Sequence, residues 1–158
     1  MERIGEVYHI EGSVGESSPL FTVDLPNDEI VLIDLGKMTI LSSIGIKNWI
    51  SWMSMRPENC RLKFYNCPIV ILDQASTVLG FLPRATSIES FKAPYLCDNC
   101  GAERLLDIKR GAEYEYTTTT APMKIELPKS ILCHKCRNSM EIDFIPERYL
   151  IFLKEPRI

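Results

Sequence analysis

The 158-residue sequence predicts an α/β fold in its first part, with a mixed sheet and packed helices, followed by a small β-rich, metal-binding part. Three observations predict this. Strand-like and helix-like runs alternate up to Pro94; from Tyr95 the pattern changes to short β-like runs; and two C-x2-C pairs frame that second part. The boundary falls near Lys92–Pro94, giving domains 1–94 and 95–158.

"VYHIEGSV" (Val7 to Val14) and "LFTVDL" (Leu20 to Leu25) read as strands split by a Gly/Ser/Pro turn. "EIVLIDL" (Glu29 to Leu35) has the near-continuous apolar run of a strand buried on both faces. "CRLKFYNC" (Cys60 to Cys67) alternates, with Leu62, Phe64 and Asn66 sharing one face. Between these runs, Ile46, Trp49, Ile50 and Met53 recur at i, i+3, i+4, i+7, one stripe of a helix over Ser43 to Met55. A second helix is expected from Pro68 to about Leu82, with a stripe of Ile71, Ala75, Val78, Leu79 and Leu82. "PRATSIESF" then returns as loop and a last strand. In the second part the run from Arg104 to Thr120 is strand-like, "AP" breaks it and "MKIEL" returns, which makes a hairpin with "EYEY" (Glu113 to Tyr116) exposed on it. The C-terminal "IPERYLIFLKEPRI" reads either as a closing helix from Pro146 or as a strand.

Net charge is −3 and the pI about 5.5, which argues against a general nucleic-acid binder. No apolar run approaches the roughly 18 residues of a membrane helix, and "MERIGEVYHI" lacks the apolar core of a signal peptide. The expectation is a cytoplasmic protein. Four of the six cysteines form the two pairs, so a reducing compartment and a bound metal fit better than disulfides.

"CDNCGAE" supplies Cys97 and Cys100, and "CHKCRN" supplies Cys133 and Cys136, with 32 residues between the pairs. Each pair can form a tight knuckle presenting two thiolates to one ion, and Gly101 suits the positive φ of a knuckle's exit. Tetrahedral Zn2+ takes four such soft ligands at about 2.3 Å. Four thiolates leave no open coordination position, so the Zn2+ is expected to be structural. A redox dithiol and an iron–sulfur cluster remain as alternatives. The second part resembles a zinc ribbon. His134, inside the second knuckle, is expected to be exposed; His9 is expected to be hydrogen-bonded or at the surface. Cys60 and Cys67, about 20 Å apart along an extended strand, are expected to be buried thiols.

The stretch "IDLGKMTILSSIGIKNWI" resembles the central segment of STAS domains of the anti-sigma-factor-antagonist type, in which a phosphorylated serine just precedes a glycine. Asp34–Leu35 match the opening D-L, Met38 and Ile40 match apolar strand positions, and Gly45 matches the glycine. Ser42 falls where the family has aspartate, Ser43 on its first serine and Ile44 on the phospho-acceptor. "CRLKFYNCPIVILDQASTVLGF" is similar to the family's next strand, its Asn and the following helix, so the resemblance covers roughly residues 5–92. The stretch "GESSPLFTVDLP" is short for the family's first helix. The resemblance implies a scaffold without its phospho-switch. Ser43 is the residual candidate for phosphorylation, against a competing role as the helix N-cap.

On the expected helix, Ile44, Trp52 and Met55 fall opposite the core stripe, with Asn48 and Ser51 among them. Such a ridge is expected to bind a partner: a kinase-like or receptor signalling protein, as the resemblance implies, with a homodimer or cover by the ribbon as alternatives. No catalytic motif is visible, so the expectation is a non-catalytic signalling or scaffold protein. The alternative is nucleic-acid binding by the ribbon, through Lys129, His134, Lys135, Arg137, Lys109 and Arg110 with Tyr114 and Tyr116 stacking on bases; neighbouring acids nearly cancel those charges.

Overall fold

In the computed structural model, which describes residues 2–4, 7–27 and 29–156, the chain is a mixed α/β structure of three sheets and three helices. The first sheet has the order β1 (Glu2–Ile4), β2 (Val7–Val14), β3 (Ile30–Leu41), β4 (Arg61–Tyr65), β5 (Thr86–Ile88). β1 pairs antiparallel with β2, and every other neighbour is parallel. β3 does not bury both faces. Val31, Ile33 and Leu35 are buried, Leu32 and Asp34 only half so, and Ile30 is exposed. The cause is topological: α1 (Ser43–Ser54) and α2 (Ile69–Thr77) link sequential parallel strands, and right-handed crossovers advancing in one direction stack on one face.

The predicted strand Leu20 to Leu25 is absent. Because β2 and β3 are direct parallel neighbours, the connection must travel back along the sheet, and it does so as a 3-10 turn at Pro19–Thr22 followed by extended coil. Pro19 sits where its fixed φ suits the first helical position. Leu20 is fully buried beneath it.

On α1, Trp49 and Met53 point inward and Ile46 and Ile50 are half-buried. Trp49 stacks on Phe81 with centroids 4.9 Å apart, and its indole N–H donates to the Phe81 carbonyl at 2.8 Å. α2 stops at Thr77, short of Leu82. Val78 is extended, Gly80 follows with φ +80°, and Leu79 is 97% exposed, so Leu79 is no part of an apolar stripe. Asn66 also leaves its expected face. Its φ of +53° ends β4 and turns its side chain to Asp34.

The second sheet, antiparallel throughout, has the order β10 (Ser130–Leu132), β11 (Ser139–Ile142), β6 (Ser90–Leu96), β7 (Glu103–Lys109), and β8 (Tyr114–Glu115) pairs with β9 (Lys124–Ile125) as a separate hairpin. β6 spans residues 92–94 and ties the sheets together. The Cys67 N–H donates to Ser90 O at 3.0 Å and the Lys92 N–H to Cys67 O at 2.9 Å. "EYEY" is not an exposed strand: Tyr114 and Tyr116 are each 1% exposed. Their hydroxyls reach β5, Tyr114 donating to Ile88 O at 2.6 Å and Tyr116 accepting from Ile88 N at 2.7 Å. Phe91, Tyr114, Tyr116 and Phe152 form one run of ring contacts. The C-terminal segment begins, as one expectation had it, with a helix at Pro146, the short α3 (Pro146–Tyr149). The Ser76 hydroxyl on α2 donates to Tyr149 O at 2.8 Å, and Phe152 and Leu153 are buried. The last two residues of that stretch lie outside the described residues.

Candidate metal centre

The ends of β6 and β7 and of β10 and β11 bring the two C-x2-C turns face to face. Cys97, Cys100, Cys133 and Cys136 place their sulfurs within 4.8 Å of one another. Cys97 and Cys133 are fully buried, Cys136 is half-buried and Cys100 exposed. Sulfur meets sulfur between the knuckles: Cys97 and Cys136 at 3.5 Å, Cys100 and Cys133 at 3.7 Å.

The knuckles share one backbone design. The Gly101 N–H donates to Cys97 O at 2.8 Å, and the Arg137 N–H to Cys133 O at 3.1 Å. The Cys97 N–H then donates to Ala102 O at 2.9 Å, and the Cys133 N–H to Asn138 O at 2.8 Å. Both exits are left-handed, Gly101 at φ +67° as its residue type predicts and Arg137 at φ +64° against its own. Donors also point at the sulfurs: Lys135 N–H at Cys133 Sγ (3.4 Å) and the Asn138 amide at Cys136 Sγ (3.6 Å).

These donors tune the thiols. The Asn138 backbone N–H, with the Asn99 side chain, lowers Cys136 to about 6. The Cys136 backbone N–H lowers Cys133. At Cys100 the Ala102 N–H favours the thiolate, but hydrogen bonds shared with the other cysteines, Cys136 above all, push it up to about 12. Four sulfurs so close cannot all carry charge unaided, and the proton that Cys100 keeps relieves its neighbours. That donor set suits a soft cation, which would displace the proton.

His134 is exposed beside the second knuckle, and His9 is half-buried with Nδ1 3.3 Å from Asp34 Oδ2. Cys60 and Cys67 are both fully buried, and burial pushes the Cys67 thiol well up. Lys109, Lys129, Lys135 and Arg137 are exposed, whereas Arg110 is held by Glu115 at 2.6 Å and Glu89 at 3.1 Å. Tyr114 and Tyr116 are unavailable for stacking on bases, being interior.

At the β3–α1 joint the N-cap is Ser42, one residue before the expected Ser43; its Oγ accepts from the Gly45 N–H at 3.0 Å. Ser43 and Ile44 are exposed. Of the predicted partner ridge, Ile44 (51%) and Met55 (70%) face solvent, Asn48 is half-buried, and Trp52 is only 3% exposed. The coil after the Pro19 turn covers Trp52, whose indole N–H donates to Val23 O at 3.1 Å. The Asn48 amide donates to Glu16 O at 3.3 Å. The ridge is therefore closed in its middle by the chain's own β2–β3 connection.

A polar cluster went unsuspected in the sequence. Asp34 Oδ1 accepts from the Gly36 N–H at 2.8 Å and from the Asn66 amide at 3.0 Å, opposite His9. The sole signal was the left-handed Asn66, a residue type that tolerates such a φ.

No family model, curated protein or solved structure matches this chain. No helix among the described residues is long and apolar enough to cross a membrane.

Proposed function

We propose that this chain is a non-catalytic signalling or scaffold protein. In this proposal a STAS-like module (1–94) lacking its phospho-acceptor is fused to a zinc ribbon (95–158), and the head of α1 binds a signalling-protein partner. The observation that carries the docking site is the exposure of Ile40 (59%) and Ile44 (51%) on either side of the β3–α1 joint. That joint is rigid, because a Cβ on Gly45 would stand 2.2 Å from Val14 O, leaving helix and strand no slack. Ile44 offers a fixed apolar contact where the resembled family carries a phosphate-controlled one. Ser43, exposed and not the N-cap, is the remaining hydroxyl for modification.

The order β3–α1–β4–α2 with parallel strands supports the STAS-like part, as does the Asp34–Asn66 hydrogen bond joining two residues of the resembling segments. Where the family has its first helix, the described residues hold the 3-10 turn at Pro19–Thr22. For the metal, a tetrahedron of Zn–S bonds of about 2.3 Å has edges of about 3.8 Å, close to the 3.5 and 3.7 Å sulfur contacts. With all four positions taken by thiolates, Zn2+ would hold the two knuckles together and carry no substrate.

The test is a native pull-down with the full chain beside Ile44→Asp and Ser43→Ala, each first checked for folding by circular dichroism. Loss of a protein partner with Ile44→Asp, and its retention with Ser43→Ala, is expected. Capture that ignores Ile44→Asp and vanishes with nuclease would overturn the docking site and favour nucleic acid at the ribbon. Metal analysis of the purified chain should find one equivalent of zinc, lost when Cys97 is replaced by Ser.

A further inference from the structure

Within the tetrad, burial divides the sulfurs unevenly. Each knuckle contributes one interior thiol, Cys97 or Cys133, and one that reaches solvent, Cys100 or Cys136. The contacts then cross. Cys136 of the second knuckle lies against Cys97 of the first at 3.5 Å, and Cys100 of the first against Cys133 of the second at 3.7 Å. These two contacts each join a solvent-reaching sulfur to an interior one on the opposite knuckle, beside a further hydrogen bond between the two solvent-reaching sulfurs, Cys100 and Cys136. That is the pairing a two-step thiol oxidation needs, an accessible sulfur to attack the oxidant and a sheltered neighbour to resolve the product.

We propose that Cys100 and Cys136 are a modification site for small peroxides, and that oxidation joins the knuckles crosswise, Cys97 to Cys136 and Cys100 to Cys133. The inference deepens the zinc ribbon reading and rests on it. In the first step an exposed thiolate attacks one peroxide oxygen. The O–O bond breaks, hydroxide leaves and takes a proton to become water, and the sulfur becomes a sulfenic acid. In the second step the interior thiolate across the gap attacks that sulfur. The S–S bond forms, the S–O bond breaks, and a second hydroxide leaves as water. Each pair of thiolates gives two electrons to one peroxide and takes up two protons overall. No thiolate then remains to hold a metal, so the ion is released.

The crosswise pattern has a structural consequence that pairing within each C-x-x-C would lack. A bond from Cys97 to Cys136 spans the same gap as the metal, tying the β6 end to the β11 side. The oxidised, metal-free ribbon therefore stays closed, whereas the reduced, metal-free ribbon does not. Cys60 and Cys67, fully buried in the first domain, serve as internal controls for reagent access.

The experiment treats the full metal-loaded chain, and in parallel the chelator-stripped chain, with excess hydrogen peroxide. Released zinc is followed with a chromophoric chelator and free thiols are counted. Disulfides are mapped after cleavage at Asp98 and Lys135, which separates Cys97 from Cys100 and Cys133 from Cys136. Expected are full zinc release, loss of the four tetrad thiols with Cys60 and Cys67 intact, crosswise peptides, and retained amide protection in β10 and β11. Pairing within the knuckles, oxidation that stops at sulfinic or sulfonic acids, or thiols that survive excess peroxide would each overturn it. A chain that carries no zinc before treatment sinks the metal reading instead, and the stripped sample still reports whether the pairing is crosswise.

Discussion

In the first sheet, Val31, Ile33, Leu35, Leu62 and Phe64 point into a layer completed by Trp49 and Phe81. In the second, β6, β7, β10 and β11 converge at one end on four sulfurs, and the interior at the other end is aromatic and partly borrowed. Tyr114 and Tyr116 reach out of the hairpin to the backbone of Ile88 in β5. The first region is held by apolar area removed from water, a non-directional force spread over many residues. The second depends on a few directional contacts, each with a specific geometry. Damage should accordingly be graded in the first region and abrupt in the second.

Stripping the proposed Zn2+ is the sharpest way to separate the regions. Structural zinc sites contribute on the order of 10 kcal/mol of binding free energy to folding. Chelation, or Cys97→Ser, should abolish amide-exchange protection in β10 and β11 while β3 keeps most of its own. Simultaneous loss in both sheets would mean that β6 couples them into one cooperative unit and would erase the distinction.

Gly45→Ala attacks the first region where packing allows nothing. The new methyl would meet the Val14 carbonyl at 2.2 Å, so helix or strand must shift. A loss of about 3 kcal/mol is expected, read by urea denaturation; a change under about 0.5 kcal/mol would show that α1 can slide and the joint is not rigid.

Tyr114 tests the borrowed interior. Burial raises its phenol well above the ordinary tyrosine range. A folded-state pKa raised above the unfolded value contributes stability that is fully present below about pH 10 and is lost as pH rises beyond it. Phenolate absorbance should therefore show Tyr114 ionising only with alkaline unfolding, and Tyr114→Phe should cost about 1 kcal/mol from the bond to Ile88 O. A Tyr114 that titrates in the native protein would place its ring in solvent.

The smallest effects lie within the knuckles. Gly101→Ala forces a methyl onto φ +67° with open space around it, so about 1 kcal/mol of backbone strain is expected and no clash. Arg137→Gly should do the reverse and leave metal affinity unchanged or slightly raised. Equal effects of both would deny that the two exits differ in strain.

Much of this was legible in the residues. The spacing of Cys97, Cys100, Cys133 and Cys136 sufficed to bring four sulfurs together, because a C-x2-C turn admits few backbone forms. The stripe of Ile46, Trp49 and Met53 placed α1 to within a residue. Directions were not legible. The alternation Glu113–Tyr114–Glu115–Tyr116 puts both tyrosines on one face, but a period of two has no sign, and the inward choice depends on Ile88, distant in sequence. Trp52 lies off the core stripe yet is covered, because the β2–β3 connection folds over it. Helical periodicity identifies a helix's sheet-facing side and says nothing of a coil packed on another.

Both tryptophans of the chain, Trp49 and Trp52, lie on α1, one stacked on Phe81 and the other bonded to Val23. Intrinsic tryptophan fluorescence is therefore a local optical probe, confined to the first sheet and its helix layer. A melt followed by that emission alone would report an intact protein while the four-cysteine end was already open. Of the six tyrosines, Tyr95, Tyr114, Tyr116 and Tyr149 lie from Tyr95 onward and give the complementary channel, so two wavelengths can follow the two regions of one unlabelled chain.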